Sequence, residues 1–587
     1  MGMGVGGVAM PELYDERTLW AKRRMLWLGV ALILAGGLLA HFIQTSGGIR
    51  ILDVRFAGTG AVGMSALLYV PPNATTKTPA PAVLAVHGYF NSREAQDGFA
   101  IELARRGYVV LALDQRGHGY SAPPVSADGF GAPDGLKFLR GLDIVDPDNI
   151  GLEGHSMGGW AVGNAAAAFP AGYKSMVLEG SSTGAPFAPV GTSTFPRNLA
   201  VVFSRFDEFS AVMWGVPTAR EVTQSPKLRT LFGSNTPIEP GRLYGSIEAG
   251  TARILFTPGI THPMDHISTV AIGHSLYWFG RTLRGGTPRP DDDQIWYWKE
   301  IGTCTALIGL VLLLLGVFDL LLDLPYFAAL RSGVNGGGPG HHRDTRWWIA
   351  FVGGTLIPVL TLLPFFELGN HVFPPSRWFP QSFTNEIATW AVLNGLIFHA
   401  LSFLPGRSTP QIKSDLVRSI VIALLTVASA YVASAVVDFL FKIDFRIWFI
   451  ALKLMSPGQA TAFPAYLIPF TIYFVLALRS LHANLQIQGD SAATQYLSNG
   501  AAMTAGLILF LTLEYGWLFC TDRLLTLFRF DALRIIISIQ FVPVLATVAI
   551  ISTFTFRRTR SHLPGALICA LLITWYIVAG QATHFPS

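Results

Sequence analysis

Three textures of hydrophobic and polar positions follow one another along the 587 residues. A first apolar run, "MLWLGVALILAGGLLAHFI" at 25–43, comes directly after the basic "AKRR" at 21–24. No small-x-small cleavage pattern follows it and its polar leader is long, so it predicts an uncleaved anchor rather than a signal peptide. From 50 to 285, short β-branched runs alternate with Ala-rich amphipathic segments, with Gly, Pro and Asp at the joints; this predicts an α/β domain. After "GGTPRPDDD" at 285–293 the long apolar runs return and continue to the C-terminus. They fall at 301–322, 347–366, 386–404, 420–441, 460–478, 500–520, 535–554 and 563–580, each long enough to cross a bilayer as a helix. The expected division is a cytoplasmic segment 1–24, a transmembrane anchor 25–43, an α/β domain 50–285, a linker 286–300 and a polytopic domain 301–580 with about eight spans, about nine in all.

Composition agrees with a lipid environment, since 51% of residues are apolar and only 13% are charged. The formal charge of +5 comes from scattered Lys and Arg residues without a basic helix, which argues against nucleic acid as a partner. Cys304, Cys520 and Cys569 each lie inside an apolar run, so no disulfide framework or CxxC metal site can be drawn. The positive-inside bias puts Lys22, Arg23 and Arg24 in the cytoplasm and the α/β segment outside. Arg331, Arg343 and Arg346, then Arg407, Lys413 and Arg418, then "RRTR" at 557–560 fall on the inner side of that alternation; Arg523, Arg529 and Arg534 dissent. The expectation is an integral multi-pass protein of the plasma (inner) membrane with the α/β domain on the extracytoplasmic face. The mixed segment "DFRIWFIALKLM" at 444–455 is expected to lie flat at the outer interface.

Candidate chemistry centres on "IGLEGHSMGGW" at 150–160, where "NIGL" reads as a buried strand and "GGWAVGNAAAAF" as a helix. A serine within Gly-x-Ser-x-Gly between strand and helix has the order of a nucleophile elbow. Gly154 and Gly158 leave room for strand and helix to approach, and Ser156 falls at a helix N-terminus where free amides favour developing negative charge. By itself the pattern is equally a glycine-rich turn. Upstream, "APAVLAVHGYF" is an apolar strand ending in His87-Gly88, and "VVLALDQRGHGYS" is another ending in Asp114 and a glycine-rich loop.

With "HGYF", "DQRGHGYS" and "GHSMGG" in this order, residues 50–285 resemble the α/β-hydrolase superfamily, in particular its esterase, lysophospholipase and dienelactone-hydrolase-like branches. The resemblance implies a mostly parallel sheet flanked by helices, no metal and no cofactor. It also implies an oxyanion hole from the backbone amides of Tyr89 and Met157. A serine needs a base, and the expected order Ser, Asp or Glu, His is met. "NLAVVFSRFDEFS" reaches Asp207, with Glu208 beside it as a competitor. "ARILFTPGITHPMDH" reaches His262, with His266 as the alternative base. Asp207 would orient the imidazole and His262 would take the serine proton. His87, Asp114, His118 and His155 are expected to hold loops. Binding of a metal by "THPMDH" is the minor alternative.

The stretch 209–250, with "AVMWGVPTAREV", reads as a lid or as core packing around Met213 and Trp214. Asp438, Glu514, His399 and Asp319 are ionisable residues within apolar runs, which serve function or pair with neighbours such as Lys442, Arg446 or Arg523. The leading expectation is a membrane-integrated serine hydrolase cleaving carboxylic esters of a lipid or other hydrophobic acyl compound, with the bilayer as its surroundings and no further partner identified. An acyltransferase, amidase or peptidase would use the same triad. A transporter-like protein with a hydrolase-fold accessory domain is the reading from another class, and it makes Asp438 or Glu514, not Ser156, decisive.

Overall fold

The computed structural model describes residues 16–90, 92–331, 342–401, 415–525 and 532–585. A long helix α1 (Glu16–Gln44) leads into eight strands: β1 (Arg50–Ala57), β2 (Gly63–Val70), β3 (Ala80–Val86), β4 (Val109–Leu113), β5 (Val145–His155), β6 (Ser175–Glu179), β7 (Leu199–Val202) and β8 (Arg253–Phe256). They form one sheet in the order β1-β2-β4-β3-β5-β6-β7-β8, antiparallel across β1, β2 and β4 and parallel from there on. β3, β4, β6 and β7 are buried along their whole length because helices cover both faces, which is why they read as continuous apolar runs.

One face is covered by α2 (Asp97–Arg105) and α7 (Thr269–Thr282), through Phe99, Ile272, Trp278 and Phe279. The other is covered by α3 (Ala132–Arg140), α4 (Met157–Ala168), α5 (Ser210–Trp214) and α6 (Pro226–Phe232). Met213 and Trp214 are 2% and 1% exposed in that second core, so this part of 209–250 is core packing and not a lid.

Among the described residues after α7, the regular elements are helices apart from one hairpin: α8 (Trp296–Leu321), α9 (Thr345–Leu360), α10 (Leu362–Val372), α11 (Ser382–Leu401), α12 (Leu416–Phe441), β9 (Phe445–Ile447), β10 (Ile450–Leu452), α13 (Pro457–Leu485), α14 (Ala492–Thr521), α15 (Ala532–Thr559) and α16 (Leu563–Gly580). Among the described residues, seven helices, α1 included, are long and apolar enough to cross a membrane, and α9 with α10, bent by 50°, would make an eighth. The ninth expected span, 386–404, corresponds to α11. That helix carries Asn385, Glu386 and Asn394 toward the bundle interior and is not one of the seven. Arg407, Lys413 and Arg529 lie outside the described residues, as does 1–15.

Glycines bring the anchor helix and the first later helix into close contact. A Cβ on Gly36 would lie 2.3 Å from the Gly302 carbonyl oxygen, and one on Gly309 would lie 2.8 Å from that of Gly29. Seven-residue spacing on both sides (Gly29 and Gly36; Gly302, Gly309 and Gly316) makes this a small-residue seam along which two backbones pack. The sheet domain is therefore inserted between two helices that hold each other.

Polar bonds join the two halves. Lys299 of α8 pairs with Asp97, whose other oxygen accepts the Tyr69 hydroxyl at 2.6 Å. Glu102 accepts the amides of Ile295 and Trp296 at 2.6 and 3.1 Å. On the far edge Arg205 meets Asp522 at 2.5 Å. Within the helices Asp319 pairs with Arg558 at 2.6 Å, Glu514 accepts the amide of Leu525 at 2.9 Å, and the dissenting Arg534 is held by Glu367 and Glu386 at 2.6 and 3.1 Å.

Candidate active site

β5 ends at His155 and α4 begins at Met157, leaving Ser156 alone on the turn with φ 53° and ψ −120°. A non-glycine residue with positive φ stores strain, and the surroundings fix it: the Ser156 amide donates to the Glu179 carbonyl at 2.9 Å and its own carbonyl accepts the Ser181 hydroxyl at 2.6 Å. The glycines meet the crowding expected of them. A Cβ on Gly154 would lie 2.3 Å from the Gly158 carbonyl oxygen, and one on Gly158 only 2.0 Å from that of Val86.

The loops after β7 and β8 bring Asp207 and His262 together. His262 Nδ1 lies 2.8 Å from Asp207 Oδ2, and Asp207 Oδ1 accepts the Phe209 amide at 2.7 Å. Burial lowers the His262 imidazole to about 3, so the ring is neutral at pH 7. With Nδ1–H donating its hydrogen bond to Asp207, Nε2 keeps its lone pair. Burial also pushes the Asp207 carboxyl upward, opposed by the Phe209 amide.

Glu208 points elsewhere: it accepts the backbone amide of His262 at 2.9 Å and the hydroxyl of Tyr515, on α14, at 3.0 Å. Burial, then the neighbouring Asp207 charge, raise its carboxyl to about 8. The alternative base, His266, is partly buried with its ring centroid 3.9 Å from that of His155, and its Nδ1 has no hydrogen-bond partner among the described residues. His155 Nε2 lies 3.1 Å from the His262 carbonyl oxygen.

The "HG" turn approaches the elbow closely, since a Cβ on Gly88 would lie 3.3 Å from Ser156 Cβ. His118 Nε2 donates to the Tyr89 carbonyl at 2.6 Å, while Gln115 donates its amide to His87 Nε2 at 3.2 Å. Asp114 accepts the Arg93 amide at 2.9 Å and the Ser65 hydroxyl at 2.8 Å, so these residues act as loop supports. The amide of Met157 belongs to the first turn of α4, which lacks intrahelical acceptors.

Ser156, His262, His266 and Tyr89 face one cleft. Its cover is the hairpin β9–β10 together with Leu533 and Ile536 of α15, with Phe209 the contribution from the stretch expected to form a lid. The segment 444–455 contains a hairpin with a two-residue turn, Ile447 pairing Ile450, with Trp448 and Phe449 at its tip. Trp448 has φ +58°, a conformation that favours glycine in such turns. It is held there by Glu300, which accepts its amide at 3.0 Å, and by the Pro263 carbonyl, which accepts its indole N–H at 2.6 Å. Sequence reasoning missed this element because "IWFI" contains no turn residue. The signal it did carry is the charge pair Asp444 and Arg446, which is buried here at 2.7 Å. Asp438, Glu514, His399 and Asp319 do not line the cleft.

Behind the elbow Glu153, Glu179 and Asp265 are fully buried acids whose carboxyls burial holds well above the usual range. His155, His262 and Asp265 each place one ligand-type atom within 4.8 Å of the others, the make-up of a metal-binding set. Two of these residues are already engaged, His262 Nδ1 by Asp207 and Asp265 Oδ1 by the Ser204 hydroxyl at 2.5 Å.

Residues 81–211 match the family model described as alpha/beta hydrolase fold. The monoacylglycerol lipase of Mycolicibacterium smegmatis is 27% identical over 216 residues, covering 35% of this chain and 71% of that protein. Among solved structures, an esterase of Pyrococcus furiosus is similar with a TM-score of 0.30 and 16% identity, covering 40% of this chain and 90% of that one. An epoxide hydrolase from an endophytic Streptomyces gives a TM-score of 0.20 and 23% identity, over 24% of this chain and 39% of its own.

The sheet domain thus has the α/β-hydrolase fold. The chain as a whole joins this α/β-hydrolase domain to a helical region containing several helices able to span a membrane.

Proposed function

We propose that this protein is a membrane-integrated serine hydrolase that cleaves carboxylic esters of a lipid or other hydrophobic acyl compound. The observation that carries the reading is the 2.8 Å bond between His262 Nδ1 and Asp207 in the cleft that Ser156 also lines. In this reading Ser156 Oγ attacks the ester carbonyl carbon and its proton passes to His262 Nε2. The carbonyl π electrons move to oxygen, where the amides of Tyr89 and Met157 stabilise the negative charge. Collapse of this intermediate breaks the bond to the alkoxide, which leaves with the proton from His262. Water then enters by the same steps in reverse order and releases the acid, regenerating Ser156. Asp207 orients the ring and stabilises the imidazolium form.

The apolar cover of the cleft suits a hydrophobic acyl group. On the positive-inside bias the sheet domain lies on the extracytoplasmic side of the inner membrane. The test is labelling of the membrane-embedded protein by a short-chain fluorophosphonate, with Ser156→Ala, His262→Ala and His266→Ala beside the wild type. Expected are labelling of the wild type and of His266→Ala, and loss of labelling in the other two. A folded wild type that stays unlabelled overturns the reading, and labelling that depends on His266 instead of His262 reassigns the base.

A further inference from the structure

The cleft at Ser156 does not end at its cover. A second, smaller cavity adjoins it, and both are walled by Phe90 and Phe449. Phe90 follows the "HGY" turn, and Phe449 is the second tip residue of the hairpin. From these two rings the second cavity runs into the helical half, between Ile387 of α11, Phe541 of α15 and Ile577 of α16, with Ala451 of the hairpin on its wall. Its lining is mostly aliphatic and aromatic. Two of its polar side chains satisfy each other, because the Tyr576 hydroxyl donates to Gln540 Oε1. The charged residues of the first cleft, Glu300 and Arg446, do not line the second.

We infer that the acyl chain of the substrate threads from Ser156 between Phe90 and Phe449 into this second cavity, so that the helical half selects long acyl chains and sets their length. The inference rests on the serine-hydrolase reading above and adds the substrate's acyl class and the residues that select it. Its physical basis is that an extended hydrocarbon is the ligand shape a narrow apolar bore accepts, and burial of each methylene there is favourable in proportion to area. The strained Trp448 fits the same role. Positive φ at this residue sets the tip of the hairpin so that Phe449 stands in both cavities, and the bonds to Glu300 and Pro263 keep it there. Ala451 is 1% exposed and small, which leaves open a bore that a larger side chain at the same place would fill.

The experiment uses the full-length protein in lipid vesicles with p-nitrophenyl esters from acetate to palmitate, and the short-chain fluorophosphonate as a control for the intact serine. For the wild type, kcat/KM is expected to rise about fourfold per methylene over several methylenes and then level off. In Ala451→Phe, dodecanoate should lose tenfold or more in kcat/KM, with butyrate and fluorophosphonate labelling within twofold of the wild type. A flat wild-type chain-length profile, or a labelled Ala451→Phe with an unchanged ratio of dodecanoate to butyrate, overturns the inference and leaves the serine-hydrolase reading standing.

Because Phe at a packed position can prevent folding, a second measurement needs no variant: a long-chain alkyl fluorophosphonate with a terminal diazirine is coupled to wild-type Ser156 and photolysed. Crosslinks to α15 or α16 are expected, and crosslinks confined to the sheet domain or to lipid overturn the inference. A wild type that neither hydrolyses esters nor takes either probe removes the serine-hydrolase reading and this inference with it.

Discussion

Gly158→Ala and Gly163→Ala place the same methyl group on the same helix, five residues apart, with opposite expected outcomes. At Gly158 the new Cβ would stand 2.0 Å from the Val86 carbonyl oxygen and 2.5 Å from that of His87, against ordinary contact at 3.4–4 Å. Both obstacles are backbone, so relief requires α4 and the end of β3 to separate by more than 1 Å. The displaced segment leads directly into Gly88 and Tyr89, whose turn is placed against Ser156. Overpacking of this kind costs about 1–3 kcal/mol of stability, and a 1 Å misplacement of reacting groups costs on the order of 100-fold in rate.

At Gly163 the Cβ would meet Ala188 Cβ at 3.6 Å, an ordinary contact, and the loss of glycine's backbone freedom stabilises the helix by up to about 1 kcal/mol. The assay is the second-order rate of fluorophosphonate labelling together with Tm, for both variants in the same vesicles. Gly158→Ala should lose on the order of 100-fold in labelling rate and several degrees, whereas Gly163→Ala should keep its rate and gain or hold Tm. A Gly158→Ala variant that labels within threefold of the wild type would refute the argument that strand and helix meet at this glycine.

Asp207→Asn should lower the labelling rate by on the order of 10³ to 10⁴ with little change in Tm, since an amide can donate to Nδ1 and hold the ring in the wrong tautomer; a loss under tenfold would contradict the orienting role. Burial lowers His262 from 6.5 to about 3, and the reaction needs it neutral, so kcat/KM should persist as pH falls through 6.5 and be lost only nearer the folded value. The unfolded chain takes that proton below 6.5, so the same group makes the fold less stable as pH drops; an acid limb at 6.5 or above in the rate profile argues against the assignment. Tyr515→Phe removes the hydroxyl donated to partly buried Glu208 at 3.0 Å, so stability should fall by about 1 kcal/mol, read as a lower Tm, and labelling should slow about fivefold; no change in either means α14 does not brace the histidine loop. Gly36→Leu puts a side chain where Cβ alone is 2.3 Å from the Gly302 carbonyl oxygen, so cysteine crosslinking between α1 and α8 should be lost while it persists in Leu32→Ala.

The order of the sheet domain was legible because its signals are local. Buried parallel strands read as continuous apolar runs, helices as amphipathic segments, and the elbow as a glycine pattern whose steric demand is met within a few residues of Ser156. Asp207 and His262 were legible as positions after strands. That Asp207 takes the ring of His262 while Glu208 takes its backbone amide is a matter of loop direction, which adjacent residues in a sequence do not carry. Apolar runs gave the helices but not how many of them are apolar enough to span, because α11 mixes buried amides and a carboxylate into a helix of sufficient length.

What only the tertiary structure decided is the relation of the two halves. The amino-acid sequence by itself determined an α/β domain with a serine elbow and a set of long apolar helices, since periodicity and steric pattern act over a few residues. The cover of the cleft comes from residues some 290 positions after Ser156, in a hairpin whose tip has no turn residue and whose strained Trp448 is stabilised by Glu300 and Pro263. Contacts at that separation are chosen by packing of the whole chain, and no local propensity announces them.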